Sequence, residues 1–142
     1  MTQPKLTVAS YPLAEKRPEL VIGARGKRLD EITLDAVLAD DVTLEDLRIT
    51  RHALMQQGEI SAAAGRPALQ QNFARAADLA AVPQETIMRV YELLRPGRAK
   101  AKDDLLAAAR ELRETYKAER MAAFVEEAAG VYEARGLFKW RF

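Results

Sequence analysis

The chain has 142 residues, with 22 Lys and Arg against 21 Asp and Glu and a formal net charge of +1, so no global field draws it to nucleic acid or to an anionic membrane. It has no cysteine, which removes disulfides, zinc–thiolate sites and thiol nucleophiles and suits a reducing, cytoplasmic setting. No apolar run approaches the roughly 20 residues that span a bilayer, the N-terminus lacks the apolar stretch of a signal peptide, and the length fits a single compact domain.

Residues 1–30 are expected to form an irregular arm, because Pro4, Pro12, Pro18, Gly23 and Gly26 punctuate them and forbid a long helix. Tyr11, Leu13, Leu20, Val21 and Ile22 make this arm too apolar for a free tail. It should lie on the chain's own helices or wrap a partner and order on binding. Leu20, Val21 and Ile22 suit a short strand, but no second strand pattern accompanies them, so no sheet is predicted. Gly23-Ala24-Arg25-Gly26-Lys27 has the look of an anion loop, yet the P-loop spacing and the flanking strand and helix are missing. It reads as a surface turn.

From residue 31 to 142 the pattern is helical, and the predicted fold class is an all-α, compact helical domain behind the irregular arm. Thr33 precedes Leu34-Asp35-Ala36-Val37-Leu38; its hydroxyl can accept from a free helix amide, and Asp35 suits the positive helix start. Thr43 with Asp46 resembles a shortened capping box over Leu44 and Leu47, too brief to hold without tertiary packing. Thr50 caps a longer helix to about Ala64, ended by Gly65. Pro67 suits the first turn of the next helix, which carries Leu69, Phe73, Ala76, Ala77 and Ala80 at helical spacing.

Pro83 starts a further helix, with Ile87, Val90, Tyr91 and Leu94 as its apolar stripe, and Pro96 ends it by disfavouring helical geometry at Arg95. The run from about Ala101 to Arg135 lacks proline and is rich in strong helix formers. Leu105, Ala109, Leu112 and Tyr116 keep one register; Met121, Phe124, Val125, Ala128 and Tyr132 fit a rotated face. A bend near Lys117 to Arg120 reconciles them. Gly130 is an interior helix glycine and Gly136 the expected terminator. There is no repeat of 20 to 50 residues and no sustained heptad.

Chemistry-bearing groups are scarce. His52 is the single histidine, which excludes most metal and triad architectures that combine imidazoles; an exposed or half-packed histidine at a helix start is the preferred reading. It also lacks the Asp-x-His-x-x-Gly context that supplies a cobalt ligand in one large group of cobalamin proteins, because Thr50 stands where the aspartate would be. The pairs Asp40-Asp41, Asp103-Asp104 and Glu126-Glu127 diverge by about 100° if helical, so they read as solvated or helix-end charge. Arg95, Arg98, Lys100 and Lys102 form the densest basic group, but Asp103 and Asp104 follow at once, and a solvated helix start is preferred to a phosphate site. Three aromatics, Phe138, Trp140 and Phe142, crowd the last five residues. Left in water they would form an apolar patch, so docking on the chain itself is expected first, docking on a partner or a second copy next, and disorder last.

The string from Asn72 to Pro96 resembles the small subunit of the adenosylcobalamin-dependent diol and glycerol dehydratases. Tyr11-Pro12-Leu13-Ala14, Ile32-Thr33-Leu34-x-x-Val37-Leu38, Arg48-Ile49-Thr50 and Ala122-Ala123-Phe124-Val125 resemble their counterparts in order and spacing, from about Tyr11 to Arg135. The resemblance implies a lyase of large, medium and small subunits, a dimer of heterotrimers, turning a 1,2-diol or glycerol into an aldehyde and water by radical chemistry. It implies adenosylcobalamin and a cation bound by the other subunits, and a mostly helical small subunit that packs on the large one and supplies no catalytic, cofactor-binding or metal-binding residue. Some diol-type small subunits carry a longer N-terminal extension linked to bacterial microcompartments; with about ten residues before Tyr11, such targeting through this chain is not expected, and the short start resembles the glycerol type. The aromatic end departs from the polar, lysine-rich end expected of the family.

Two functional readings follow: a non-catalytic subunit supporting the large catalytic subunit, or a self-standing helical adaptor for an unrelated protein. Phe73, Arg75, Tyr91 and Arg95 are the expected partner-interface residues, since aromatics and arginines are enriched among binding hot spots. Against this stands the reading that Phe73 and Tyr91 fill the chain's own core.

Overall fold

The computed structural model describes residues 5–139; Pro4, Trp140 and Phe142, on which expectations for the two ends rested, lie outside the described residues. The described residues are all-α, with no strand among them. The chain forms two compact units, Met1–Ala77 and Asp78–Phe142.

In the first unit the arm takes the first of its two expected courses and lies on the chain's own helix. A 3-10 turn at Val8–Ser10 leads into α1 (Leu13–Lys16) and a second 3-10 turn at Pro18–Leu20. Leu6 and Leu13 are buried with Ile60, the Leu6 amide donates to Glu59 Oε1 at 2.9 Å, and Gln56 Nε2 donates to the Leu20 carbonyl at 3.3 Å. Apolar anchors at two points and satisfied polar groups between them are what a proline-broken segment needs to order. Ile22 makes an isolated antiparallel bridge with Arg28, so the strand stays unformed.

After a 3-10 turn at Leu29–Glu31 comes α2 (Leu34–Leu38), where the Thr33 hydroxyl accepts from the Ala36 amide at 3.2 Å. The short helix expected over Leu44 and Leu47 is a turn instead. Its carboxylate works backwards, Asp46 Oδ2 accepting from the Thr43 amide at 2.9 Å. Next is α3 (Arg51–Ala63), capped by the Thr50 hydroxyl on the Ala53 amide at 3.1 Å. Gly65, at φ +74°, ends it: the Gly65 amide reaches the Ala62 carbonyl and the Arg66 amide the Ser61 carbonyl, the paired closure that a left-handed residue permits. Pro67 opens α4 (Pro67–Leu79). A Cβ on Gly58 would stand 3.3 Å from Phe73 Cβ, so the missing side chain lets α4 approach α3 closely.

The second unit begins in the last turn of α4 and holds α5 (Gln84–Leu94), α6 (Lys102–Glu114) and α7 (Glu119–Ala134). The helical run predicted from 101 to 135 breaks where a bend was expected. α6 ends at Glu114, Lys117 takes φ +56°, and the Ala118 amide returns to the Leu112 carbonyl at 2.9 Å. Leu105, Ala108, Ala109 and Leu112 pack against Ala118, Ala122, Val125 and Ala129. Alanines at the contact let α6 and α7 approach closely, and the fully buried Leu105, Leu112 and Val125 each contribute about 1.5–3 kcal/mol of burial. The buried stripe of α7 is therefore the alanine-rich one, and Phe124, expected inward, is turned out to solvent.

Two side chains fasten the ends of α7. Asp78, buried, accepts from the Arg120 amide at 2.8 Å and from its guanidinium at 3.1 Å, supplying a carboxylate to a helix start that has no cap of its own. At the other end the Tyr132 hydroxyl donates to the Leu94 carbonyl, and the Tyr132 and Phe138 rings lie 6.2 Å apart. Phe138 thus docks on its own unit.

Candidate functional site

The unusual feature of the first unit is where its large aliphatic side chains point. α2 has five residues, and Leu34, Val37 and Leu38 fall at i, i+3 and i+4, which places them on one helix face. That face meets water: Leu34 is 72% exposed and Leu38 76%. In the following turn Leu44 is 82% and Leu47 61% exposed, Ile49 is 67% exposed, and Leu29 and Val37 are exposed as well. Seven large apolar side chains within 21 residues are thus left in solvent, whereas scattered single exposures are the ordinary case.

The backbone beneath them is held in place. Arg25 Nη1 donates to Asp46 Oδ2 at 2.9 Å and to Thr43 Oγ1 at 3.2 Å, and Lys27 Nζ donates to Asp41 Oδ2 at 2.8 Å. Lys27 holds the Asp41 carboxyl below its ordinary value, by hydrogen bond first and charge second. The Asp41 and Val42 amides both return to the Ala36 carbonyl, at 2.9 and 3.1 Å. Val42 and Asp46 are the buried residues of this loop, and a Cβ on Gly23 would stand 2.8 Å from the Asp46 carbonyl oxygen. The turn at 23–28 and the loop at 41–46 are stapled together, and the leucines are carried on that frame.

Sequence reasoning missed this surface because it read Leu34, Val37, Leu38, Leu44 and Leu47 as the apolar faces of short helices. The available signal was length. A five-residue helix cannot hold itself without tertiary packing.

The residues expected at an interface are spread over both units. Phe73 is half-buried against Gly58, and the Arg75 guanidinium donates to Asn72 Oδ1. Tyr91 is exposed, on the outer side of α5, whose buried residues are Thr86 and Val90; it does not fill the core. Arg95 donates to Glu92 at 3.1 Å.

Several of the groups weighed for chemistry are engaged in local structure. His52 is exposed at the start of α3. Asp104 accepts from the Lys100 and Ala101 amides at 2.9 and 3.1 Å, opening α6. Glu126 takes a two-point bond from Arg113, at 2.6 and 2.9 Å, which draws its carboxyl below the ordinary glutamate value and raises Arg113. Three of the four cations around Arg95 are engaged by carboxylates, Arg95 and Arg98 by Glu92 and Lys102 by Glu133. The glycine turn closes on itself, the Gly23 amide on the Lys27 carbonyl at 2.8 Å. Among the described residues no three His, Asp or Glu side chains are arranged to hold a metal ion. No helix among them is long and apolar enough to cross a membrane.

Comparison with known proteins gives this geometry a context. Residues 6–139 match the family model described as dehydratase small subunit. The chain is 48% identical over 132 residues to the propanediol dehydratase small subunit of Citrobacter freundii, and equally to that of Salmonella typhimurium; the match covers 93% of this chain and 76% of each relative.

Proposed function

The chain belongs to the dehydratase small-subunit family, and on that footing we propose that it is the non-catalytic small subunit of an adenosylcobalamin-dependent radical diol or glycerol dehydratase. In this reading it supports a large catalytic subunit within a dimer of heterotrimers that also contains a medium subunit. The observation that carries the proposal is the exposed aliphatic face between Leu29 and Ile49 on a stapled frame. Such a face is costly in water and favours association. The relatives are named for propanediol, which supports 1,2-propanediol ahead of glycerol as the substrate.

The described residues of this chain offer no clustered donors for a cation. Its one histidine is exposed and no three acidic or imidazole groups converge. Following the resemblance, the proposal assigns cofactor and cation to the other subunits, and to this chain the task of holding their shape. Expression of the large and medium subunits with and without this chain tests it. Sustained turnover of 1,2-propanediol is expected with all three subunits and a loss of activity or of its lifetime without the small one. Full, stable turnover by the large and medium subunits alone would overturn the reading.

A further inference from the structure

We propose that a cavity in the second unit, beside the turn between α5 and α6, is the seat of this chain's own Trp140, which clasps the segment after α7 to that turn. The cavity has a volume of about 400 Å³ and is lined by Gly97, Ala99, Lys100 and Phe138. All four belong to the second unit. Ala99 is a buried member of the core that joins α5, α6 and α7, and Phe138 packs against that core, so the cavity opens at the core's edge.

Two observations name the occupant. The first is where the chain is aimed. The Leu137 amide returns to the Tyr132 carbonyl at 2.9 Å, the Tyr132 hydroxyl donates to the Leu94 carbonyl, and the Tyr132 and Phe138 rings lie 6.2 Å apart, which fixes the backbone up to Phe138. The Lys139 carbonyl oxygen then stands 3.9 Å from where a Cβ on Gly97 would be. Trp140, outside the described residues, is bonded to that carbonyl group, and one residue of chain spans about 3.3–3.6 Å. Its indole has the cavity within reach, with no loop to close.

The second is the chemistry of the walls. Ala99 and Phe138 offer apolar surface, and the exposed Lys100 ammonium makes no ion pair among the described residues, unlike its neighbours Arg95, Arg98 and Lys102. A flat apolar ring whose face attracts a cation satisfies both features, and indole does so best. Water would leave the apolar walls without partners, a phosphate or carboxylate would use Lys100 alone, and Phe142 has the weaker ring for a cation. Seated there, Trp140 gives the aromatic end an intramolecular use.

The chain has one tryptophan and no cysteine, so each side of the contact can be marked singly. In the folded full chain, Trp140 emission is expected to be blue-shifted and shielded from acrylamide, and to move to the red when urea unfolds it. A thiol-linked bimane at Lys100→Cys is expected to lose most of its fluorescence by contact with the indole and to regain it when Trp140→Phe is added. Bimane at Arg110→Cys, exposed further along α6, is expected to be indifferent to Trp140→Phe. In the co-produced three-subunit assembly, photoreactive p-benzoylphenylalanine in place of Trp140 is expected to crosslink within the chain, to residues 97–100. Red, acrylamide-accessible emission from the folded chain, bimane at Lys100→Cys unaffected by Trp140→Phe, or a crosslink to another subunit or to a second copy would overturn the assignment. The fluorescence measurements use this chain alone, so failure of the three subunits to assemble would sink the subunit role and leave the seat of Trp140 standing on them.

Discussion

Asp78 shows how a residue with no signature in the sequence can hold an element together. The carboxylate is buried, yet both of its oxygens are engaged, by the amide and the guanidinium of Arg120, 42 residues further on. It acts as a helix cap delivered from outside the helix, where the local candidate, Ala118, has no side chain able to accept. Nothing in the spacing of Asp78 and Arg120 announces the pair, because long-range caps leave no periodic trace. Local caps do, and Thr33 and Thr50 were legible for that reason. Replacing Asp78 by alanine strands a helix-start amide and releases the exposed Arg120 guanidinium. Asp78→Ala is expected to lower stability by about 1–2 kcal/mol, read as a shift in urea midpoint with unchanged slope. A change below a few tenths of a kcal/mol would contradict the capping role.

At the scale of elements, boundaries set by backbone chemistry were readable and faces set by packing were less so. Pro67 and Pro83 start α4 and α5, Gly65 and Gly136 end α3 and α7, and the run after residue 101 breaks near Lys117, all from residue types with strong local preferences. The inward face of α7 was read rightly at Val125, with Met121 and Tyr132 packed at its edge, but Ala122 and Ala129 were missed. Periodicity rewards large residues, whereas the close α6–α7 contact selects Ala122, Val125 and Ala129 and turns Phe124 outward. Gly130 gives a sharper test of the same element. A Cβ there would meet nothing within 4 Å, so close packing is not its reason for being glycine. Gly130→Ala is expected to stabilise the chain by about 0.8–1 kcal/mol, seen as a raised melting temperature; a neutral or destabilising result would mean that the space beside α7 is filled.

At the scale of the whole molecule, the all-α class and the family likeness were legible, whereas the course of the arm was left open between two alternatives and the exposed aliphatic face was missed. Hydrophobic residues in a single sequence are read as core by default, and only the structure separates a leucine that is packed from one left exposed. Leu34, Leu38 and Leu44 are of the second kind, beside a modest first-unit cluster of Leu6, Leu13 and Ile60. The interface residues anticipated from type, Phe73, Arg75, Tyr91 and Arg95, divide between a half-packed pair on α4 and a solvent-facing pair around α5, and they remain proposals beside the aliphatic face. What unites these observations is that the chain's surface anticipates an assembly. The direct measurement is the mass, by light scattering after size-exclusion chromatography, of the species carrying this chain when large, medium and small subunits are produced together. The account predicts one species containing all three, in equal numbers and twice over. Elution of this chain by itself as a monodisperse, folded monomer, with the other two subunits fully assembled without it, would contradict it.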